Sequence, residues 1–423
     1  MNIDKITHHA SRITHHASRI THHASRITHH ASRIISLFVR VFYYLKRKIY
    51  LFQQEASRNS GKYIFSHVTA YYVGNAGDTV LSKCVRDCFN KFFAINRWKI
   101  ISVSQKVTHK TITNLNNTNM LIIGGGGLFL PDTNPNDVSG WQWAISTENL
   151  SQINIPLVVF SVGYNYFHTQ EQSELFKRSV TALVGKSSFF GLRNHGSVRA
   201  IRRILPDNLK ERIIFQPCIT TVSRKLYGNM IPAKSSEDSK CVAINMAFDR
   251  SSMRFGEHEE TILHNVATAV KSIEEKGYKI FYVCHCGGDI SFLPYLRAHD
   301  VSFKVADFSK SLTKPLIEFY NKMAVVLGMR GHSQMIPFGV NTEILSLGTH
   351  DKMLWFLEDI EASDWYVDLT ANVDNLSEAI VNKFTYIHEE NHEETRARLI
   401  IQQDKLWSIT QDNMRTIGKL LVQ

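Results

Sequence analysis

The sequence lacks the features that mark membrane-spanning, disulfide-stabilised and zinc-finger proteins. No apolar run reaches the roughly 18 residues that would cross a bilayer. No Cys-x-x-Cys pair is present, and six cysteines in 423 residues are too few for a disulfide framework. We therefore expect a cytoplasmic protein with reduced thiols at Cys84, Cys88, Cys218, Cys241, Cys284 and Cys286.

Signatures for nucleotides and nucleic acids are also missing. The run Gly124–Gly127 fails as a dinucleotide fingerprint, because the third glycine of G-x-G-x-x-G would fall on Phe129, and no Lys-Ser/Thr follows as in a P-loop. The formal charge of +11 comes without a basic helix or an aromatic-basic signature that is specific to DNA or RNA. We expect anionic small molecules or an anionic membrane surface as partners, and no nucleic acid.

The N-terminus consists of four identical copies of ITHHASR, from Ile6 to Arg33. Repeats without drift are typical of a translated tandem DNA repeat, so we treat residues 1–34 as a non-functional extension. Residues 35–61 are predicted to form a basic-aromatic helix. The stretch ISLFVRVFYYLKRKIYLFQQ (35–54) is too short and too charged to span a membrane. This stretch either packs against the first domain or lies in a membrane interface, and both alternatives stay open.

From Lys62 onward, strand patterns alternate with helix patterns. Apolar stretches such as NMLIIGGGGLFL and IPLVVFSVGYNYF are followed by polar loops, which predicts a parallel, doubly wound α/β sheet. A polar segment, 228–240, interrupts the series. We therefore predict two Rossmann-like domains, 62–228 and 229–388, that face each other in a GT-B-like arrangement, followed by a C-terminal helix over 389–423.

Ligands of open α/β sheets bind beyond the carboxyl ends of the strands, and polar residues follow several predicted strands. In GNAGD (74–78), Asn75 and Asp78 can hydrogen-bond a ligand, or Asp78 can simply cap the next helix. Gly125 and Gly126 are predicted to lie in a loop whose bare amide groups can cradle an anion.

Two later strand ends carry arginine. Arg193, in GLRNHGS, precedes a helix predicted to start near Ser197 and is either an anion clamp or a surface side chain. Arg330 and His332, in LGMRGHSQMIPFGV, follow a strand at 323–328. If the extended pattern continues, both side chains point to one face, ahead of a Pro-Phe-Gly turn. Arginine grips a carboxylate or phosphate with two hydrogen bonds, and histidine can carry a proton at physiological pH.

The stretch CHCGGD (284–289) contains one Cys-x-Cys without a second ligand pair at zinc spacing. Zinc fingers need four ligands from two such pairs, so this stretch predicts no metal site. We interpret His285 and Asp289 instead as polar residues that line a pocket.

The order of these motifs is more specific than any one of them. GNAGD precedes GGGGLF, a segment with Trp141 and Trp143, PLVVFSVG, the R-x-x-x-S turn at Arg193, and finally RGH with PFGV and a segment containing Lys352. Over roughly residues 62–385, this arrangement resembles the polysaccharide pyruvyl transferase family. The resemblance implies a GT-B-like fold and the transfer of a pyruvyl group from phosphoenolpyruvate to a sugar as a cyclic ketal.

The resemblance also implies roles for individual residues. By motif match, Arg193, Arg330 and His332 take the donor-binding and catalytic positions of the family. One neighbour departs from the family pattern, since Asn194 stands where an aspartate is frequent. We expect His332 to protonate C3 of the donor, and Asp78 to act as a base or to hold the sugar.

Six further residues complete this hypothesis. They are Gly125, Gly126 and Lys352 for the donor, and Asn75, His285 and Asp289 for a saccharide acceptor, free or lipid-linked. Arginines and amide groups can stabilise phosphate, so no cofactor or metal is expected. Two alternatives stay open: a GT-B glycosyltransferase that uses a nucleotide sugar, and a non-catalytic anion- or glycan-binding module.

Overall fold

The chain divides into two compact units, Met1–Ala56 and Ser57–Gln423. A computed structural model describes six single positions between 38 and 55 and the residues 61–422, except 72–73, 168–169 and 310–312. The predicted extension over residues 1–34 lies outside this described part. No described helix is long and apolar enough to cross a membrane.

The first part of the larger unit contains six strands and seven helices. The strands are β1 (Tyr63–Thr69), β2 (Ile95–Ser102), β3 (Met120–Phe129), β4 (Leu157–Tyr164), β5 (Phe189–Leu192) and β6 (Ile213–Phe215). The helices are α1 (Ala76–Phe92), α2 (His109–Asn116), α3 (Thr147–Ser151), α4 (Glu174–Lys186), α5 (His195–Arg202), α6 (Asp207–Lys210) and α7 (Ser223–Tyr227). The strands form a parallel sheet in the order β2-β1-β3-β4-β5-β6. β4 is buried along its whole length, as expected for a parallel strand covered on both faces.

The second part repeats this plan. Its strands are β7 (Cys241–Asn245), β8 (Lys279–Cys284), β9 (Phe303–Asp307), β10 (Val325–Gly328), β11 (Glu343–Gly348) and β12 (Tyr366–Asp368). Its helices are α8 (Ser251–Phe255), α9 (Glu259–Glu275), α10 (Leu293–Ala298), α11 (Thr313–Asn321), α12 (His332–Gly339), α13 (Asp351–Asp359) and α14 (Leu376–Phe384). These strands form a second parallel sheet in the order β12-β11-β10-β7-β8-β9.

The chain order reverses once in each sheet, between β1 and β3 in the first and between β7 and β10 in the second. At such a point, successive connections leave on opposite sides and open a crevice beyond the carboxyl ends of the strands. GNAGD follows β1, and RGHS begins two residues after β10. The predicted fold of two Rossmann-like sheets in a GT-B-like arrangement is therefore confirmed.

The glycine run lies inside β3 and not in a loop, so that part of the sequence prediction is wrong. Gly124 and Gly126 pair with Phe160 and Val162 of β4, as members of the sheet. Their φ angles of +127° and +117° favour glycine over other residues. Gly125 and Gly126 are buried in this strand. Their amide groups are therefore not exposed in a loop, where the sequence predicted that they could bind an anion.

The tryptophan segment between β3 and β4 belongs to the core of the first sheet. Trp141 and Trp143 are 1% and 0% exposed, and Trp141 packs edge-on against Phe129 and Trp143. The indole Nε1 of Trp141 donates to Ser179 Oγ at 3.0 Å. The two tryptophans therefore stabilise the first sheet.

Residues His392–Lys419 form a long final helix, α15, which follows a π-helix at Thr385–Glu390. Asn413 Nδ2 donates to Phe215 O at the end of the first sheet, at 3.0 Å. Gln403 Nε2 donates to Phe338 O in the second part of the unit. The helix thus contacts residues of both halves of the larger unit and links the two halves.

Five apolar positions of the basic-aromatic segment are helical and exposed, by 46–71% of their surface. They are Phe38, Val41, Phe42, Leu45 and Ile49. Their spacing of three to four residues puts them on one face of a helix. A stripe of this kind has the apolar side that an interfacial helix needs.

Candidate active site

A cavity of about 230 Å³ lies where the carboxyl ends of the two sheets face each other. A bridge between Asn75 and Cys286 joins the loops of the two sheets beside it. The first sheet contributes the polar residues Asn75, Asp78, Thr133, Gln142, Asn165 and Arg193. The second contributes Asp249, Arg250, Arg254, His285, Arg330, His332 and Lys352.

Seven of the ten residues predicted for the site line this cavity. The other three, Gly125, Gly126 and Asp289, are buried outside it. Gly127 reaches the cavity in place of its two neighbours. A Cβ atom on Gly127 would overlap the Asn165 amide, so glycine is needed there for close approach.

Asp78 stands in the first turn of α1. The N-cap of this helix is Asn75, which accepts from Gly77 N at 3.1 Å, so the alternative of Asp78 as the cap is wrong. Asn75 Nδ2 in turn donates to Asp78 Oδ2 at 2.7 Å. Burial raises the pKa of Asp78 to about 6, although Arg193 and Arg330 oppose the shift. Such a carboxyl group can take up and release a proton near neutral pH.

Arg193 follows β5 and is 7% exposed. Its Nη2 donates to Asn165 Oδ1 at 2.6 Å, and Gly163 leaves the space that the guanidinium occupies. Among the described residues, no carboxylate forms an ion pair with Arg193, and its Nε has no hydrogen-bond partner. This arginine is thus a buried cation aimed at a cavity, and not a surface side chain.

The departure at Asn194 has a local structural role. Its side chain caps α5 by accepting from Ser197 N at 2.7 Å, so the helix begins at His195 and not near Ser197. An aspartate would accept the same hydrogen bond. The substitution therefore leaves the geometry around Arg193 intact.

Arg330 is held by two carboxylates. Its Nε and Nη2 donate to Asp289 at 3.0 and 2.5 Å, and its Nη1 lies 2.8 Å from Asp249. Burial opposes the charge of the guanidinium, but Asp289 and Asp249 raise the pKa of Arg330 above its usual value. The side chain is fixed before any ligand arrives.

Asp289 is fully buried behind Arg330. Besides the guanidinium, its Oδ2 accepts from the backbone amides of His285 and Cys286 at 2.9 and 3.1 Å, and from Asn245 at 3.2 Å. With its oxygens occupied in this way, Asp289 orients Arg330. The predicted contact between Asp289 and the acceptor does not fit this geometry.

His332 is the first residue of α12, so the extended pattern predicted through Arg330 and His332 is wrong. Pro337 likewise lies inside this helix and not in a turn. A Cβ atom on Gly77 would come within 2.6 Å of His332 Nδ1, which places the imidazole beside the Asp78 loop. Burial and the charge of Arg193 lower the pKa of His332 well below its usual value. The side chain of His332 is therefore a neutral imidazole at neutral pH.

Two further predicted residues complete the second sheet's side of the cavity. Lys352, in the first turn of α13, has a pKa well below its usual value because of burial and the charge of Arg254. His285 is fully buried, and its Nε2 lies 2.6 Å from Tyr320 Oη. Burial lowers the pKa of His285 to about 3, with a contribution from Arg330, so this imidazole is neutral.

Sequence reasoning missed three charged residues after β7. Asp249 lies 2.9 Å from Arg254 Nη2 and 3.0 Å from Arg250 Nη1. Burial alone would raise the pKa of Asp249, but Arg254 and Arg330 hold it well below its usual range. The signal was present, because FDRSSMRF follows a predicted strand and the carboxyl-end rule applies there as well.

The cavity has an excess of cationic side chains. Five arginines and lysines line it against two carboxylates, Asp78 and Asp249, and two of the arginines also pair with carboxylates outside the cavity, Asp289 and Asp132. A small molecule with two anionic groups fits this balance, because buried charges require partners of opposite sign. Within the described part of the chain, the one cluster of three metal-ligating side chains lies elsewhere, at Glu343, His388 and His392.

The fold and this cavity define a two-domain α/β protein with a cationic, proton-handling cleft. The family model described as "Polysaccharide pyruvyl transferase" matches residues 59–351. The chain therefore belongs to the polysaccharide pyruvyl transferase family and is a transferase of that class. No curated protein matches the sequence.

Solved structures share the fold at low sequence identity. A UDP-GlcNAc 2-epimerase from Neisseria meningitidis bound to UDP-GlcNAc has 12% identity and a TM-score of 0.52, over 85% of this chain and 99% of that one. A putative UDP-N-acetylglucosamine 2-epimerase from Listeria monocytogenes has 12% identity and a TM-score of 0.52, over 80% and 91%. S. aureus MnaA with UDP has 11% identity and a TM-score of 0.51, over 79% and 91%. These likenesses support the two-domain architecture alone.

Proposed function

We propose that the cavity binds phosphoenolpyruvate and transfers its pyruvyl group to two hydroxyls of a sugar, forming a ketal and releasing phosphate. The observation that carries this proposal is the placement of Arg193 and Arg330 on opposite sheets around His332. The family supports transfer of a pyruvyl group to a saccharide. The charge balance supports a donor with both a carboxylate and a phosphate.

The donor takes two cationic grips in this proposal. Arg330 is preoriented by Asp289, whereas Arg193 has its Nε unpartnered among the described residues and can form a new hydrogen bond. Arg254 adds positive charge on the second sheet's side, and Lys352, whose pKa is low, can take up a proton when an anion binds. These side chains supply the stabilisation of phosphate that a metal ion supplies in other enzymes, so we propose a reaction without a cofactor.

His332 delivers the proton that activates the donor. Burial, and after it the charge of Arg193, lowers the pKa of His332 and disfavours an imidazolium, and a bound dianion beside the ring would raise this pKa. The imidazolium then gives a proton to C3 of the donor, and C2 becomes electrophilic. General acid catalysis of this kind contributes about 10²–10⁴-fold.

Asp78 receives a proton from the acceptor. A sugar hydroxyl adds to C2 as its proton passes to Asp78. Phosphate then leaves with the bonding electrons of the C2–O bond and takes this proton from Asp78, so that it departs as hydrogen phosphate and Asp78 is a carboxylate again. The second hydroxyl adds to C2, closes the ketal and returns a proton to His332. Asn75, which donates to Asp78, keeps this carboxylate in place beside the acceptor.

A thermal-shift titration of the full chain tests the donor. Phosphoenolpyruvate at about 100 times its Kd should stabilise the fold by roughly 2.7 kcal/mol, and Arg193→Lys should abolish this shift because a lysine cannot form the two-pronged contact. Arg203→Lys, on the surface of the same region, is the matched control.

The other outcomes separate the alternatives. Stabilisation by a UDP- or GDP-sugar and not by phosphoenolpyruvate would replace this proposal with a nucleotide-sugar glycosyltransferase. Binding of phosphoenolpyruvate without phosphate release across a panel of saccharide acceptors would indicate a binding module. Phosphate release with a ketal-bearing product would support the full reaction.

We also propose that the reaction takes place at the cytoplasmic face of a membrane, on a saccharide acceptor that is lipid-linked. None of the six cysteines forms a disulfide in the structure, which fits a reducing compartment. The exposed stripe of Phe38, Phe42 and Leu45 lies in a segment with four basic residues, which fits an anionic interface. Cosedimentation with anionic vesicles that survives Phe42→Glu would contradict this role.

A further inference from the structure

A second cluster of reactive side chains lies at the opposite, amino end of β11. Glu343 is the first residue of this strand and is 2% exposed. His388 belongs to the π-helix, and His392 is the first residue of α15. One ligand atom from each of the three side chains lies within 4.8 Å of the others.

The two imidazoles are aimed at the two oxygens of one carboxylate. His388 Nδ1 lies 2.7 Å from Glu343 Oε2, and His392 Nδ1 lies 2.6 Å from Glu343 Oε1. The His388 contact has hydrogen-bond geometry, but the buried Nδ1 of His392 does not form a hydrogen bond. The Nδ1 of His392 therefore lies close to the carboxylate without being used in a hydrogen bond, and it is available as a ligand atom.

Glu343 also lacks a strong cationic partner. Within residues 61–422, as far as they are described, no lysine or arginine forms an ion pair with it. The neighbouring Lys234 donates to Met323 O and Thr342 Oγ1, and burial lowers the pKa of Lys234 to about 7. A buried carboxylate with such weak compensation is costly, and a divalent cation would remove the cost.

We propose that Glu343, His388 and His392 bind a divalent transition metal of the zinc class. Two imidazole nitrogens and one carboxylate oxygen form the ligand set that zinc and its neighbours prefer, whereas magnesium and calcium take oxygen ligands. Water completes the coordination. Ligands at about 2.1 Å from a tetrahedral ion are about 3.4 Å apart, so small side-chain shifts suffice to admit it.

The π-helix carries His388, and His392 follows four residues later at the start of α15. Side chains four residues apart are neighbours on a helix, so this spacing lets both imidazoles reach one point. Insertions such as this π-helix are frequent at functional sites, since they rotate side chains relative to a regular helix. The metal would fasten the start of α15 to β11, and α15 also contacts the first sheet through Asn413. Its role is therefore structural, and it does not depend on the proposed reaction.

The test compares full-length proteins stripped with a chelator and then titrated with ZnCl₂. Wild type should gain about 5 °C or more in Tm, and His388→Gln and His392→Gln should lose this gain. The matched control is His264→Gln, which removes an exposed histidine that pairs with His299 and should respond like wild type. Binding of CoCl₂ should give tetrahedral absorption bands that the two cluster variants lack.

Any metal that the repeat histidines of the N-terminus bind would be common to all four proteins, so only the differences between variants count. If His388→Gln folds poorly, His392→Gln decides, because its side chain is 36% exposed. Equal stabilisation of all four proteins would assign the metal to the repeats and overturn the proposal. The absence of any zinc-dependent shift would overturn it as well and leave a metal-free contact between histidine and carboxylate.

Discussion

The two sheets contribute different kinds of charge to the same cavity. On the first sheet's side, Arg193 is a buried cation without an ion pair among the described residues, and Asp78 has a pKa of about 6. On the second sheet's side, Arg330 and Arg254 are neutralised by Asp289 and Asp249. The charge of Arg193 on the first side is left without an opposite charge in contact, whereas the arginines on the second side already form ion pairs.

This difference means that the two sides behave differently when a ligand binds. Paired guanidinium groups keep their positions when a ligand binds, so the second sheet's side offers fixed hydrogen-bond donors. Groups without partners change their protonation or contacts when a negative charge arrives. We therefore expect substitutions on the second side to affect folding and function together, and substitutions on the first side to affect mainly function.

The largest expected effect comes from Arg330→Ala. Removing this guanidinium leaves Asp289 buried without its cation, which should lower the free energy of unfolding by about 3–5 kcal/mol. Arg193→Ala removes one hydrogen bond to Asn165 and should change the free energy of unfolding by about 1 kcal/mol or less. Both variants should lose phosphate release from phosphoenolpyruvate. Urea unfolding measures the contrast, and equal losses of stability would remove the distinction between the two sides.

The next effect concerns His332, which stands between the two sides. His332→Gln should lower kcat by about 10²–10⁴-fold, because glutamine cannot supply a proton to C3. Binding of phosphoenolpyruvate to wild type should take up a proton, since a dianion raises a pKa that burial and Arg193 hold low. Calorimetry in buffers of different ionisation enthalpy measures this uptake. An unchanged uptake in the variant would place the proton on another group.

The contrast between the sheets could be predicted only in part from the sequence. Alternating strands and helices predicted both sheets, and the carboxyl-end rule pointed to Asp78, Arg193, Arg330 and His332. These are local signals, because each residue directly follows a strand pattern.

The pairing of charges could not be predicted, since it joins positions far apart in the chain. Arg330 meets Asp249 and Asp289 only after β7, β8 and β10 are assembled in one sheet. The same holds for the glycines: Gly77 makes room for His332 of the other sheet. The π-helix that brings His388 to Glu343 likewise has no local pattern that we could recognise.

Asp78→Asn should separate activity from stability. The folded-state pKa of about 6 lies above the usual 3.8, so Asp78 favours folding below about pH 3.8 and this contribution is lost as the pH rises through about 6. At pH 8 the neutral asparagine should therefore be more stable than wild type, by about 1–3 kcal/mol, while phosphate release is lost.

Thermal unfolding between pH 4 and pH 8 measures this effect. Asp207→Asn, at a fully exposed position, is the control and should leave the pH profile unchanged. A variant that is less stable than wild type at pH 8 would mean that Asp78 is ionised and paired in the folded protein.

The variant with the smallest expected effect tests whether Asp249 competes with an external anion for the arginines on the second sheet's side. Asp249→Asn removes a negative charge that Arg254 and Arg330 now share, so these guanidinium groups should bind an external anion more tightly. We expect Kd for phosphoenolpyruvate and for inorganic phosphate to fall about tenfold, which corresponds to roughly 1.4 kcal/mol. Asp207→Asn is the control, because Asp207 is exposed and its partner Lys210 does not line the cavity. Weaker binding by Asp249→Asn would show that this carboxylate orients the arginines and does not compete with the donor.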